Sequence, residues 1–272
     1  MTVRWIDVSD LSFNALLLLE RVQLSWLPGW VPERELGIAL RANPAVEWFM
    51  RHKCPEIHAW LDDVLEHSRG GEAVGSHDLR AAEVIVMNTI NDLLTYAVDP
   101  SIYDAQPFLG WNSSELTSLV DFAGKTVVDV GSGTGRLALV AAPLAKWVFA
   151  VEPVGNLRRY IAEKAERMGM LNVYPIDGLI TSIPLPSDFA DVTMGGHVFG
   201  DHPEEECREL ERVTRRGGMV VLCPGNNDKD NREHEILVAK GFQWSRFEEP
   251  GDGWKRKYWK KVEISEEPGD KS

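Results

Sequence analysis

Asp129, Gly131, Ser132, Gly133, Gly135 and Glu152 are the residues whose types and spacing bear most directly on chemistry. They sit in TVVDVGSGTGRLAL, residues 126–139, and in VFAVEP, residues 148–153. An apolar run carries an acid near its end, three glycines then alternate with Ser132 and Thr134, and a helix-favouring run follows. Glycines let the backbone turn tightly and let a ligand approach with no Cβ in the way. Ligands of an open parallel sheet bind beyond the carboxyl ends of its strands. A dinucleotide fingerprint needs G-x-G-x-x-G, with a pyrophosphate on the helix N-terminus. Here Arg136 holds the third glycine's place, and the acid two residues before Gly131 suits a charged amine rather than a pyrophosphate. No GKS or GKT follows, which excludes a P-loop. Glu152, twenty-one positions after Gly131, can accept both hydroxyl protons of a ribose. The plainer readings are a tight turn for the glycines and a surface acid at a strand end for Glu152.

The elements that position these residues follow from the alternation of short β-branched runs with helical stretches. Strands are expected at 125–130, 147–151, 172–176, 190–194 and 219–222, with helices at 136–145, 156–168 and 204–215. This β-α-β-α order implies an α/β, doubly wound, mostly parallel sheet with helices on both faces. Residues 242–248 and 254–262 flank EPGDG and predict a closing antiparallel hairpin, for seven strands in all. Residues 1–100 read instead as helices. Asn43 is expected as an N-cap with Pro44 at the first helical position, and Pro55 precedes a similar run. Leu79, Ala82, Val86, Ile90, Leu93 and Ala97 form an amphipathic stripe, set off by the Gly-rich break at 69–76. The tail from 264 to 272 has little to bury and is expected to be flexible.

With these motifs in hand, residues 126–136 resemble the first motif of the class I S-adenosylmethionine-dependent methyltransferases, most closely their type 11, small-molecule kind. The resemblance implies a Rossmann-like fold and S-adenosylmethionine as cofactor, leaving as S-adenosylhomocysteine. It places Asp129, Gly131, Ser132, Gly133 and Gly135 around the amino-acid and sulfonium end, Glu152 on the ribose, and Pro153 near the adenine face. Asp177, followed by Gly178 and Leu179, falls where similar enzymes meet the adenine amino group and ring; a turn-forming Asp before Gly is the plain alternative. Leu185, Pro186, Phe189, Ala190 and Asp191 are similar to the phrase that leads into the family's fourth strand, and Arg212 to Gly218 to the phrase before its fifth. The residues just beyond the fourth strand, MGGHVFGDH, make His197 and His202 the candidate proton acceptors, since histidine titrates near neutral pH. His197 equally suits a purely shaping role. Tyr103, Phe108 and Trp111 precede the first strand where similar enzymes close a lid, so Tyr103, Trp111 and His197 are expected at the acceptor pocket. The expected division is a helical cap region at 1–100, a methyltransferase domain at 101–263 and the tail at 264–272.

The totals narrow the acceptor. Of 272 residues, 42 are acidic and 29 basic, a net charge of −13, which opposes a nucleic-acid backbone as the main partner. A small organic acceptor is therefore expected. RNA or protein methylation is the alternative, and a non-catalytic cofactor-binding protein a third reading. Cys54, Cys207 and Cys223 are too few and too scattered for a disulfide framework, which points to a reducing cytoplasm. The apolar stretch at 15–19 is too short to span a bilayer, and the acidic start is a poor signal peptide, so no membrane association is expected. His52, Cys54 and His58 lack the spacing of a metal site, and no metal is expected. Cys223-Pro224 resembles a cytosine-5 methyltransferase nucleophile but follows the wrong strand. Glu204, Glu205 and Glu206 read as the acidic first turn of a helix. Lys255, Arg256, Lys257, Lys260 and Lys261 read as charges protecting an edge strand. The apolar N-terminal helices can pack within the chain or against a second subunit.

Overall fold

The computed structural model describes residues 4–68 and 76–263. The expected flexible tail at 264–272 lies outside the described residues, as does the Gly-rich break up to residue 75. The chain divides into two compact units, Met1–Ala105 and Gln106–Ser272.

The first unit is helical. It contains α1 (Arg21–Ser25), α2 (Glu33–Ala42), α3 (Pro44–Lys53), α4 (His58–His67), α5 (Ser76–Thr89), α6 (Asn91–Val98) and α7 (Pro100–Asp104). Leu16, Leu36, Leu40, Met50, Leu61, Val86, Ile90 and Leu94 meet in one buried cluster. The expected stripe from Leu79 runs along α5 and α6 with a break at Ile90, so its apolar face stays continuous across two helices. Asn43 precedes α3, but its amide donates to Ala39 O and Glu83 Oε1 rather than capping the helix. Asn91 is buried and ties down the N-terminal segment, accepting from Trp5 N and Ile6 N and donating to Ile6 O.

The second unit is a seven-stranded sheet: β1 (Thr126–Val130), β2 (Trp147–Val151), β3 (Val173–Ile176), β4 (Ala190–Gly195), β5 (Thr214–Asn227), β6 (Gln243–Glu249) and β7 (Gly253–Lys261). The strand order is β3-β2-β1-β4-β5-β7-β6, reversing at β1 and β4. The first five strands pair in parallel, and β7 pairs antiparallel with both β5 and β6. The helices are α8 (Ser114–Thr117), α9 (Arg136–Ala141), α10 (Gly155–Arg167), α11 (Pro203–Val213) and α12 (Arg232–Ala239). One apolar cluster holds Val127, Ala138, Ile161 and Met194, and a second holds Val128, Cys207, Leu210 and Tyr258. β1 therefore sends alternate residues to opposite faces, as a centrally buried strand does.

Two details differ from expectation. β5 begins at Thr214 and runs for 14 residues, with a register break between Leu222 and Asn226. The basic run lies on β7, which is an interior strand with β6 at the edge. Lys255, Arg256 and Lys257 are buried, and four of the run's five charges are paired: Lys257 with Glu115, Arg256 with Asp228 and Asp230, Lys255 with Asp252, and Lys260 with Glu211. Internal ion pairing, not edge protection, accounts for them.

Candidate active site

Four neighbouring strands stop at one level. Val130 of β1 pairs with Val151 of β2 and with Gly195 of β4, and Val151 pairs with Ile176 of β3. The next residues along the chain are Gly131, Glu152, Gly196 and Asp177. The sheet register thus assembles the candidate residues along one carboxyl edge, at the switch point where such sheets bind ligands.

The loop after β1 owes its shape to left-handed backbone at Gly131 (φ 63°), Gly133 (φ 55°) and Gly135 (φ 84°). At Gly131 a Cβ would fall 2.3 Å from a Val198 methyl, so the loop after β4 also excludes a side chain there. Asp129 lies beneath this loop. Its Oδ2 accepts from the Ala138 N–H at 2.9 Å, capping the first turn of α9 from the end of β1. Burial pushes the Asp129 carboxyl up to about 7, against the pull of the Ala138 N–H and the Ser132 side chain, with the Glu152 charge adding to the rise. Ser132 donates its hydroxyl to Asp129 O at 2.8 Å. Thr134 is buried in the same loop, and its hydroxyl has no hydrogen-bond partner among the described residues.

Glu152 is also buried. Its Oε2 accepts from Gly133 N at 2.9 Å and its Oε1 from Val154 N at 3.0 Å. The carboxylate therefore links the glycine loop to the end of β2. Pro153 is half-buried beside it. Arg158 on α10 donates to Glu152 O at 2.6 Å and to Asp177 Oδ1 at 3.1 Å, holding the ends of β2 and β3 together. Asp177 is exposed. Gly178 is required by the chain itself, because a Cβ there would lie 2.5 Å from Pro184 and 2.8 Å from Val151. Leu179 follows with 41 % of its surface exposed, an apolar face at the same edge.

Beyond β4 the chain is pinned at every turn. His197 has φ 57° and donates its N–H to Pro224 O at 2.9 Å. Its Nε2 lies 2.8 Å from Oε1 of Glu249, a fully buried residue at the end of β6. The Phe108 ring meets the imidazole edge-on at 5.6 Å between centroids. Glu206 on α11 accepts from Gly200 N and His202 N, each at 2.8 Å. His202 itself is exposed at the start of α11. Trp111 is only 2 % exposed; Arg136 stacks over its ring at 4.9 Å and donates to its carbonyl at 2.7 Å. Tyr103 belongs to the helical unit, where its ring packs against Trp5 and Tyr96. Cys223 is buried, and burial pushes its thiol up to about 12, unlike a reactive nucleophile.

Glu249 carries no sequence signal, because FEEPGDG reads as acids flanking a turn. The hairpin brings it to the carboxyl edge, since β6 runs in the same direction as β5. Among the described residues no group of His, Cys, Asp and Glu is placed to hold a metal ion. The residues do fit S-adenosylmethionine. The loop has left-handed glycines, the Thr134 hydroxyl is buried with no partner among the described residues, and two acids lie at its borders.

Residues 128–222 match a family profile described as a methyltransferase domain. An uncharacterized methyltransferase of Bacillus velezensis is 31% identical over 144 residues, spanning 51% of this chain and 64% of its own. A protein-L-isoaspartate O-methyltransferase of Magnetococcus marinus is 26% identical over 190 residues, spanning 62% of this chain and 81% of its own. In fold, the chain is similar to a structure of a complex between the Haloferax volcanii Trm112 methyltransferase activator and a methyltransferase. That likeness has a TM-score of 0.50 and 15% identity, and covers 63% of this chain and 96% of the other. The matched stretch holds the glycine loop, Glu152 and Asp177, and residues 128–222 of this chain are a methyltransferase domain.

Proposed function

We propose that this methyltransferase acts on a small organic acceptor, with the cofactor along the carboxyl edge and His197 beside the reacting atoms. The observation that carries the reading is the shared register that makes Gly131, Glu152, Asp177 and Gly196 the first residues beyond four adjacent strands. When bound, S-adenosylmethionine supplies an electrophilic methyl on a sulfonium centre. The work left to the chain is alignment, exclusion of water and proton removal. Glu152 binds the ribose hydroxyls, with its carboxylate already oriented by two backbone amides. Asp177, held by Arg158, takes the adenine amino group, and Leu179 with Pro153 covers the ring. His197 accepts the acceptor's proton. His202, at the start of α11, is the weaker choice because its exposed side chain has no orienting partner among the described residues.

A small acceptor is favoured by the net charge of −13 and by the internal pairing of the β7 basic run, which leaves that run unsuited to an RNA backbone. The helical unit lies outside the matched residues, and we assign it a part in acceptor choice. The free, buried cysteines suit a reducing compartment such as the cytoplasm. Among the described residues no helix is long and apolar enough to cross a membrane. A second reading, methylation of a protein carboxyl group, draws on the Magnetococcus relative named for that activity.

The test is methyl-labelled cofactor with pools of small phenols, carboxylic acids and amines, an isoaspartyl peptide, and total RNA. Label in a small molecule supports the proposal. Label in the peptide alone favours the second reading, and label in RNA alone contradicts both.

A further inference from the structure

We infer that Glu249 is a positioning residue that holds His197 as the Nε2–H tautomer, leaving Nδ1 as the basic nitrogen, and that the acceptor atom therefore carries a proton before transfer. The inference rests on the reading above that His197 faces the acceptor.

The geometry is one-sided. Nε2 of His197 lies 2.8 Å from Oε1 of Glu249, which is fully buried, whereas the histidine side chain is 33% exposed. Taking the carboxylate of Glu249 as the acceptor makes Nε2 the donor. The two ring nitrogens then have distinct roles, fixed by the bond that one of them makes. Nδ1 makes no hydrogen bond to a described residue. The Lys255 ammonium, itself buried, lies 3.8 Å from Oε2, which makes no hydrogen bond to a described residue. Lys255 is held in turn by Asp252 at 2.8 Å and Asn227 at 2.6 Å. The backbone at His197 is left-handed, an unfavourable conformation for a residue with a Cβ. Such a conformation persists only when its surroundings fix it, and here the bond to Pro224 O and the Phe108 ring do so. An ion pair serving only the core would not need an imidazole open on its far side.

In the step this permits, the acceptor's X–H bond breaks and its proton goes to Nδ1. The freed electron pair forms the new X–C bond, and sulfur keeps the pair of the broken S–C bond. Glu249 stabilises the resulting imidazolium through Nε2–H. Acceptors that are already anionic or lack a proton, such as thiolates and tertiary amines, have no use for this pair.

The test is long-range 1H–15N correlation of the full chain labelled in histidine, without cofactor, with the His197 signals assigned by His197→Gln. The expected wild-type signature is a proton on Nε2, protected from exchange, with Nδ1 unprotonated. Glu249→Ala, and Glu249→Gln if the alanine variant does not fold, should abolish that protected proton while S-adenosylmethionine still binds within about threefold of wild type. A wild-type ring protonated at Nδ1, or a protected Nε2–H that survives in both variants, overturns the inference. The outcome is separable from the functional reading, because the methyl-labelling assay with small acceptors, run on wild type and His197→Gln, tests that reading on its own.

Discussion

Asp129 and Glu152 stand at the ends of adjacent strands, both buried, and their surroundings give them different work. Glu152 receives two backbone N–H groups and stays a fixed acceptor. Asp129 receives one, and burial lifts its carboxyl to about 7. A raised folded-state pKa means that the native protein holds a proton which the unfolded chain releases. The stability linked to Asp129 is therefore full below its ordinary value near 3.8 and is lost as the pH rises through about 7. Urea midpoints at pH 5 and pH 8 should show this decline in the cofactor-free protein, and Asp129→Asn should flatten it. Gly131→Ala meets two obstacles, the left-handed backbone and the Val198 methyl. It should cost about 1–3 kcal/mol in chemical denaturation and weaken cofactor binding, because the loop must move. At this scale the sequence disclosed the acids and glycines through their spacing. It did not disclose why Gly178 is a glycine, since Pro184 and Val151 crowd it only once the sheet forms. Nor did it disclose Glu249, whose partner lies 52 residues away.

Between elements, the loop from β4 to α11 depends on one buried carboxylate. Glu206 accepts from Gly200 N and His202 N, so it both caps α11 and fixes the segment that carries His197. Glu206→Ala removes both bonds and should lower stability by about 1–2 kcal/mol, read as a fall of a few degrees in Tm. The first five strands and the C-terminal hairpin were legible because β-branched runs and their breaks are local signals. The place of β7 between β5 and β6 was not, because strand order is set by pairing rather than by composition. α12 was also missed: its run REHEILVA buries little beyond Leu237, so its periodicity is weak.

For the whole molecule, the two units have separate apolar cores. We therefore expect residues 106–272, produced alone, to fold cooperatively and bind the cofactor while failing to turn over the acceptor, as thermal melts, calorimetry and the labelling assay would report. Full acceptor turnover by that fragment would remove the role assigned to the helical unit. The helical character of that unit was plain in the sequence, but amphipathic stripes are generic, and nothing in them names a ligand. The central claim, a cofactor site built from the glycine loop and Glu152, is tested most directly by calorimetric titration with S-adenosylmethionine and S-adenosylhomocysteine. The full chain should bind both saturably, and Glu152→Ala should weaken each by at least about tenfold while remaining folded. A folded wild-type chain that binds neither compound, or binds NADH in their place, would contradict the account.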